Sequence, residues 1–291
     1  MQRNWRAYNR ALVKRGEALL TFDFLKRWDD EVREANREKV GRPFTFPNSL
    51  IFLLIGLKAF FHLPYRQLEG VARRLGKLAG FPTPDHTTLI SRVRRLKIEL
   101  PDHSDKEDLV IAVDSSGLKV TNRGEWIRKN GKKGYIKIHV AVNTKTKEVV
   151  ELSATEEKIH DSREFKKLVK GAFMKAVKRG GKIKKVIADS ASDSFDNFKL
   201  VDSIGAEPVI RVREWSWAHG DDPRSRSVKE QMKDRKGWAK KAGYGMRWMA
   251  ESFFSAFKRT FGEWVWSRRF DSMVKEVKLK VCLYNLMLRV A

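Results

Sequence analysis

The hydrophobic period of this chain changes once, near residue 100, and that change limits the folds open to it. Before it, apolar residues recur at helical spacing in Phe24–Arg37 and Ser49–Phe61, with Pro43 and Pro47 breaking the run between them. The polar, acidic stretch Pro101–Asp108 then reads as a linker. Beyond it come short apolar runs bounded by turn residues, at Asp108–Asp114, Gly134–Asn143 and Glu148–Thr155, which predict three strands. The breaks Asn130-Gly-Lys-Lys-Gly and Asn143-Thr-Lys-Thr-Lys have turn chemistry, and the second is hairpin-short, so the strands form an antiparallel meander.

Strands and helices alternate from there. A helix is predicted at Ser162–Lys178, a strand at Lys184–Asp189, a short helix at Phe195–Ile204 and a strand at Glu207–Val212. Residues 214–240 are polar and punctuated by tryptophan without clear periodicity, and helices over 244–261 and 270–289 close the chain. A meander followed by this alternation is the element order of an RNase H-like fold. The predicted class is therefore α/β, a mixed sheet at 108–291 with a short insertion at about 205–243, preceded by an all-α region at 1–100.

Within the helical region, residues 64–97 hold two short helical stretches joined by a Gly- and Pro-rich turn. Asp85 or Thr87 is placed to cap the second, which carries Arg92, Arg94 and Arg95. The pattern fits a DNA-binding helix-turn-helix and equally an ordinary helical hairpin with a solvated basic face.

Charge narrows the partner. The chain has 61 Lys and Arg against 36 Asp and Glu, a formal net charge of +25. A Lys- and Glu-rich solvated surface explains many charges but not a surplus of one sign, so a polyanion, nucleic acid before membrane, is the expected partner. The longest apolar stretch, Leu50–Leu63, is too short to span a bilayer and contains Lys58, so it reads as a buried helix. The opening Met1-Gln-Arg-Asn-Trp carries no apolar signal segment, and the single Cys282 excludes an intrachain disulfide; both fit the cytoplasm. Cys282 lies in an apolar periodic run and is expected in the core.

Two apolar runs end in Asp-Ser: Leu109-Val-Ile-Ala-Val before Asp114, and Val186-Ile-Ala before Asp189. An acid leaving a strand is exposed at the rim of a sheet, where α/β folds bind ligands. A lone acid there is more often a cap; two on strands able to be neighbours favour function. A third acid has its own context. Tyr244, Arg247, Glu251 and Lys258 stand at offsets 0, 3, 7 and 14, within about 60° of one another on a helix turning roughly 100° per residue. A carboxylate flanked by cations suits a metal and phosphate site, and suits equally a surface helix with spaced ion pairs.

The spacing Tyr-x2-Arg-x3-Glu-x6-Lys resembles the signature of the DDE transposases of the insertion-sequence-four and insertion-sequence-five groups. The likeness extends to Asn4-Trp-Arg-Ala-Tyr-Asn-Arg-Ala, Pro84-Asp-His-Thr-Thr-Leu, Val113-Asp-Ser-Ser-Gly, Ile187-Ala-Asp-Ser and His160-Asp-Ser. It implies that Asp114, Asp189 and Glu251 are a catalytic triad holding Mg²⁺ or Mn²⁺, two ions, in an RNase H-like domain. It further implies that Tyr244, Arg247 and Lys258 contact DNA and that the N-terminal region binds terminal inverted repeats. On that likeness the chain is a prokaryotic insertion-sequence transposase that cleaves element ends and joins them to target DNA as a dimer or larger assembly. An RNase H-like nuclease without strand transfer, or a domesticated DNA-binding protein, are the alternatives.

The chain departs from that pattern in two places. Ser192-Asp193 stands where relatives often carry Tyr-Asp, which leaves Asp193 as a rival acid. The interval between Asp189 and Glu251 has no room for the large β insertion of some relatives. Asp161 or Ser162 reads as a helix cap, and core packing is expected of Trp215 and Trp238, with Trp217 the best candidate for an exposed ring that could stack a displaced base.

Overall fold

A computed structural model of the chain describes residues 4–103, 108–120, 135–156 and 161–290. They form two compact units, one of the residues to Glu99 together with those from Leu286, the other Leu100–Asn285. Among the described residues no helix is long and apolar enough to cross a membrane.

The first unit is helical: α1 (Trp5–Ala18), α2 (Trp28–Asn36), α3 (Asn48–Phe61), α4 (Tyr65–Ala79) and α5 (His86–Arg95). The single helix expected at Phe24–Arg37 is instead a 3-10 turn at Asp23–Arg27 followed by α2. The apolar stretch is the buried α3, which packs on α4 and α5; its Leu50, Ile51 and Leu54, Leu68 of α4 and Leu89 of α5 are all fully buried. Gly76 permits α4 to approach the chain returning toward α5. A Cβ there would stand 2.5 Å from the Phe81 carbonyl oxygen and 2.5 Å from Thr83 Cγ2.

Of the two possible caps, Asp85 starts α5: its Oδ1 accepts the Thr88 N–H at 2.6 Å and the Thr87 hydroxyl at 2.8 Å. The Thr88 N–H, then the Thr87 hydroxyl, hold the Asp85 carboxyl at about 2, from an ordinary 3.8. A depressed carboxyl stabilises the fold above its unfolded pKa and loses that contribution as pH falls through the folded value. Wild type should therefore melt above Asp85→Asn at neutral pH, and the gap should close between pH 4 and 2 as thermal melts are followed downward.

The second unit is built on a mixed sheet of β1 (Leu109–Val120), β2 (Tyr135–Asn143), β3 (Val149–Glu156), β4 (Ile183–Ala188) and β5 (Glu207–Ile210). Its order is β3-β2-β1-β4-β5, with the first three antiparallel and β1, β4 and β5 parallel. This is the RNase H-like arrangement the element order predicted. A two-residue strand, β6 (Trp264–Val265), adds a parallel pairing at Lys119 and Val120 that the sequence reading missed.

One sheet face is covered by α6 (Asp161–Lys178), whose Phe165, Leu168, Val169, Ala172 and Ala176 pack on Ile111, Val113 and Val186. Also in the unit are α7 (Phe195–Ser203), α8 (Pro223–Lys233), α9 (Arg235–Ala242), α10 (Trp248–Phe261) and, up to Asn285, α11 (Phe270–Arg289). Helices α8 and α9 fill a region whose sequence shows no period. They are short, and each is set by a capping aspartate, Asp222 and Asp234, rather than by a broad apolar face. Only Trp238 and Ala242 of α9 are buried, against Ile187 and Val209 of the sheet. Cys282 is half-buried in α11 rather than a core residue.

Candidate active site

Parallel pairing of β1 with β4 brings two of the expected acids together. The ladder runs from Leu109 to Val113 on β1, where Val113 faces Ala188, the last residue of β4. The next residues on the two strands are Asp114 and Asp189, neighbours across a strand spacing of roughly 4.8 Å. Asp114 does not end its strand as its sequence context suggested. β1 continues to Val120 along β2, and what ends at Asp114 is the β4 partner. The acid is therefore fixed mid-strand and mostly buried, 17% exposed.

Asp189 opens a 3-10 turn, Ser190–Ser192, that its own Oδ1 caps by accepting the Ala191 N–H at 3.0 Å. Asp114 and Asp189 share a cleft with Ser115, His139 and Ser192. His139, buried on β2 beside Ser115, bonds Thr155 Oγ1 through Nε2 at 2.9 Å. It was invisible to sequence reasoning because a histidine within an apolar strand looks like any core residue.

The third acid arrives on α10, which packs on β1 and β2 through a buried phenylalanine row that includes Phe253 and Phe257. Glu251 sits in its exposed first turn, where a carboxylate complements the helix dipole. Arg247 joins the acids: one guanidinium nitrogen, Nη1, stands 3.3 Å from Asp114 Oδ2 and the other, Nη2, donates to Glu251 Oε1. Burial raises the Asp114 carboxyl above its ordinary value; the Ser115 N–H and Arg247 oppose this, and the charges of Asp189 and Glu251 add to it. Asp114 thus stands among like charges, and Arg247 answers part of that repulsion.

The single helical stripe does not survive intact. Tyr244–Arg247 is a 3-10 turn, set off from α9 by Gly243 in the left-handed conformation (φ 76°), and α10 begins only at Trp248. Tyr244 consequently turns back onto Trp238, ring centroids 5.5 Å apart, and the positive charges of Arg247 and Arg211 act on its hydroxyl. Burial, more than any charge, raises the Tyr244 phenol. Lys258 stays on the Glu251 face two turns on, about 10 Å away along the axis, and among the described residues nothing engages it.

The N-terminal arginines separate. Arg94 and Arg95 are exposed and border a shallow groove with Thr87, Ile90 and Ser91. Arg92 corrects the expectation of a DNA contact: it is 6% exposed and points inward. Its Nη2 donates to the Phe46 carbonyl at 3.0 Å and to Asn48 Oδ1 at 2.7 Å, with the guanidinium 3.7 Å over the Phe44 ring.

Asp193, the rival acid, is engaged by other partners. Its fully buried carboxylate takes Arg224 Nε on Oδ1 at 2.7 Å and, on Oδ2, Arg224 Nη2, the Arg213 N–H and the Ser216 hydroxyl, each at 3.0 Å. Burial pushes this carboxyl up, but Arg224 and the other donors outweigh it and hold it below its ordinary value. Because Ser216 turns in, the flanking Trp215 and Trp217 turn out, 89% and 77% exposed; Trp238 is buried as expected, and Trp215 is not. His160 lies outside the described residues, and Asp161 is the first residue of α6.

A model of the transposase DDE domain matches residues 105–286, more than half of the sequence, and a second model of the same description matches 13–123. This chain belongs to the transposase DDE domain family. The longer match contains Asp114, Asp189 and Glu251. Among solved structures the DDE chain is similar to the Drosophila P element transposase strand transfer complex, at 16% identity over 64% of this chain and 42% of that one, TM-score 0.32. It is also similar to a simian T-cell lymphotropic virus intasome, at 16% identity over 62% and 57%, TM-score 0.25. The DDE chain thus spans 42% and 57% of those chains.

The donor set is chemically suited to a hard divalent ion: three carboxylates, no sulfur, and negative charge around Asp114 that Arg247 only partly offsets. Among the described residues no three His, Cys, Asp or Glu side chains are already disposed around one point. Asp114 and Glu251 are each paired instead with Arg247.

Proposed function

We propose that this chain is the transposase of a prokaryotic insertion sequence of the insertion-sequence-four and -five type, acting on DNA in the cytoplasm. The observation that carries the reading is Asp114 beside Asp189 where the parallel β1–β4 ladder ends, with Arg247 linking Asp114 to Glu251. Asp114, Asp189 and Glu251 would hold two Mg²⁺ or Mn²⁺ ions, with Glu251 exchanging its guanidinium partner for metal. Ions bound there supply activation of the attacking oxygen and charge stabilisation on the leaving one.

The protein's own groups do the rest. Arg247, released from the acids, presents a planar fork to a phosphate, and Lys258 offers a point charge farther along the backbone. Tyr244, packed on Trp238, fixes the turn that aims Arg247. The exposed Arg94 and Arg95 of α5 make the N-terminal unit the reader of terminal inverted repeats, in a dimer or larger assembly that holds both ends.

The deciding experiment incubates purified protein with duplexes carrying the ends of its own element, with Mg²⁺ or Mn²⁺, and resolves nicked and joined products. Joined products are expected; nicking alone would make the chain a nuclease, and neither product would end the enzymatic reading. Lys258→Ala should weaken end binding across sequences alike and lower the slope of log K against log salt by about one, read by titration in KCl.

A further inference from the structure

We propose that Arg224 and Asp193 are a positioning device for Asp189, a reading that rests on Asp189 being a metal ligand. The two acids bracket one tight turn. The Asp189 carbonyl accepts the Ser192 N–H at 3.1 Å, and the Ser190 carbonyl accepts the Asp193 N–H at 3.3 Å and Arg213 Nε at 3.4 Å. The Ser192 carbonyl accepts Asn197 Nδ2 at 2.9 Å from inside α7. With its carbonyls tied down on both sides, this turn has little freedom, and the direction of the Asp189 carboxylate follows from it.

The far end of the turn is held by charge. Arg224 meets Asp193 as a two-pronged fork, donates from the same Nη2 to Ser216 Oγ at 2.9 Å and reaches the Trp217 carbonyl through Nη1 at 3.4 Å. Arg224 is itself fixed, as its backbone N–H is capped by Asp222 Oδ1 at 2.9 Å in the first turn of α8. The fork therefore ties three chain segments, the Asp189 turn, the 213–217 loop and the start of α8, at one carboxylate. A buried pair of this kind is weak as a source of stability, because desolvation cancels much of the attraction. What a bidentate fork adds is direction.

Groups that orient a metal ligand from behind are felt in metal affinity, typically by 10–100-fold. Arg224→Lys keeps the charge and loses the fork. In the full chain we expect Mn²⁺ affinity, read by electron paramagnetic resonance of the free ion, to fall roughly tenfold. The turnover for strand cleavage should fall with it, while the dissociation constant for end DNA stays at the wild-type value. A folded Arg224→Lys with wild-type Mn²⁺ affinity would overturn the proposal.

Should that variant unfold, Ser216→Ala decides. It removes one donor without breaking the ion pair and should weaken Mn²⁺ binding in the same direction by less, and an unchanged affinity overturns the proposal. Asp189→Asn, measured alongside, separates the two readings. If it binds Mn²⁺ as wild type does, Asp189 is no ligand and the triad fails first; if it loses the ion while Arg224→Lys and Ser216→Ala keep it, only the positioning role fails.

Discussion

Asp114→Asn is expected to cut strand cleavage about a thousandfold or more while leaving the fold and DNA binding in place. Metal-ion stabilisation of a phosphoryl transition state is worth several kcal/mol, and each 1.36 kcal/mol is a factor of ten in rate. The substitution is nearly isosteric, and the side-chain oxygen that accepts the Ser115 N–H at 2.9 Å is retained. It also removes a charge that is disfavoured where it stands, raised by burial and by the charges of Asp189 and Glu251. The variant should therefore melt no lower than wild type. Gel-based cleavage and a thermal melt on the same preparation check both halves; retained cleavage would remove Asp114 from the triad.

Asp193→Asn gives the contrasting pattern. The carboxylate there is favoured rather than repelled, since Arg224 and two further donors converge on it. Its amide should lower stability, whereas the same change at Asp114 spares the fold. Asp114 and its rival Asp193 are thereby distinguished without any assumption about which one binds metal.

What was legible in the sequence follows from which interactions are local. The five main strands announced themselves because buried strands are short apolar runs between turn residues, and their order fixed the sheet. Asp114 and Asp189 were found because each follows such a run, although only the parallel register shows that they are neighbours. Helix α8 was hidden because a capped helix of 11 residues with a polar surface leaves no period in the hydropathy. The turn at Tyr244 was hidden because counting offsets assumes one continuous helix, whereas Gly243 starts a 3-10 segment. The Asp193–Arg224 fork was out of reach for a different reason. Its partners lie 31 residues apart, and nothing in either neighbourhood marks them as a pair.

Arg92 shows the same limit from the other side, and its replacement should have the second large effect. Three arginines within four positions of α5 look alike as sequence, but the helix turns Arg94 and Arg95 outward and Arg92 in. Burial lowers the Arg92 guanidinium pKa, and nearby Arg95 adds to this. Its compensation comes from the Phe46 carbonyl, Asn48 Oδ1 and the face of Phe44. A hydrogen bond to a charged group contributes about 1.5–3 kcal/mol and a desolvated cation over a ring about 2. Burial of the charge offsets part of that sum, so Arg92→Ala should destabilise the helical unit by about 3 kcal/mol, read from urea denaturation followed by circular dichroism. Arg94→Ala and Arg95→Ala should each stay within about 0.5 kcal/mol of wild type and weaken end-DNA binding instead. An Arg92→Ala protein as stable as wild type would show that the inward contacts contribute nothing. Unchanged DNA affinity in Arg94→Ala with Arg95→Ala would leave α4 and α5 as an ordinary helical hairpin with a solvated basic face. Because the two readouts fall on different residues of one helix, each outcome can be read without reference to the other.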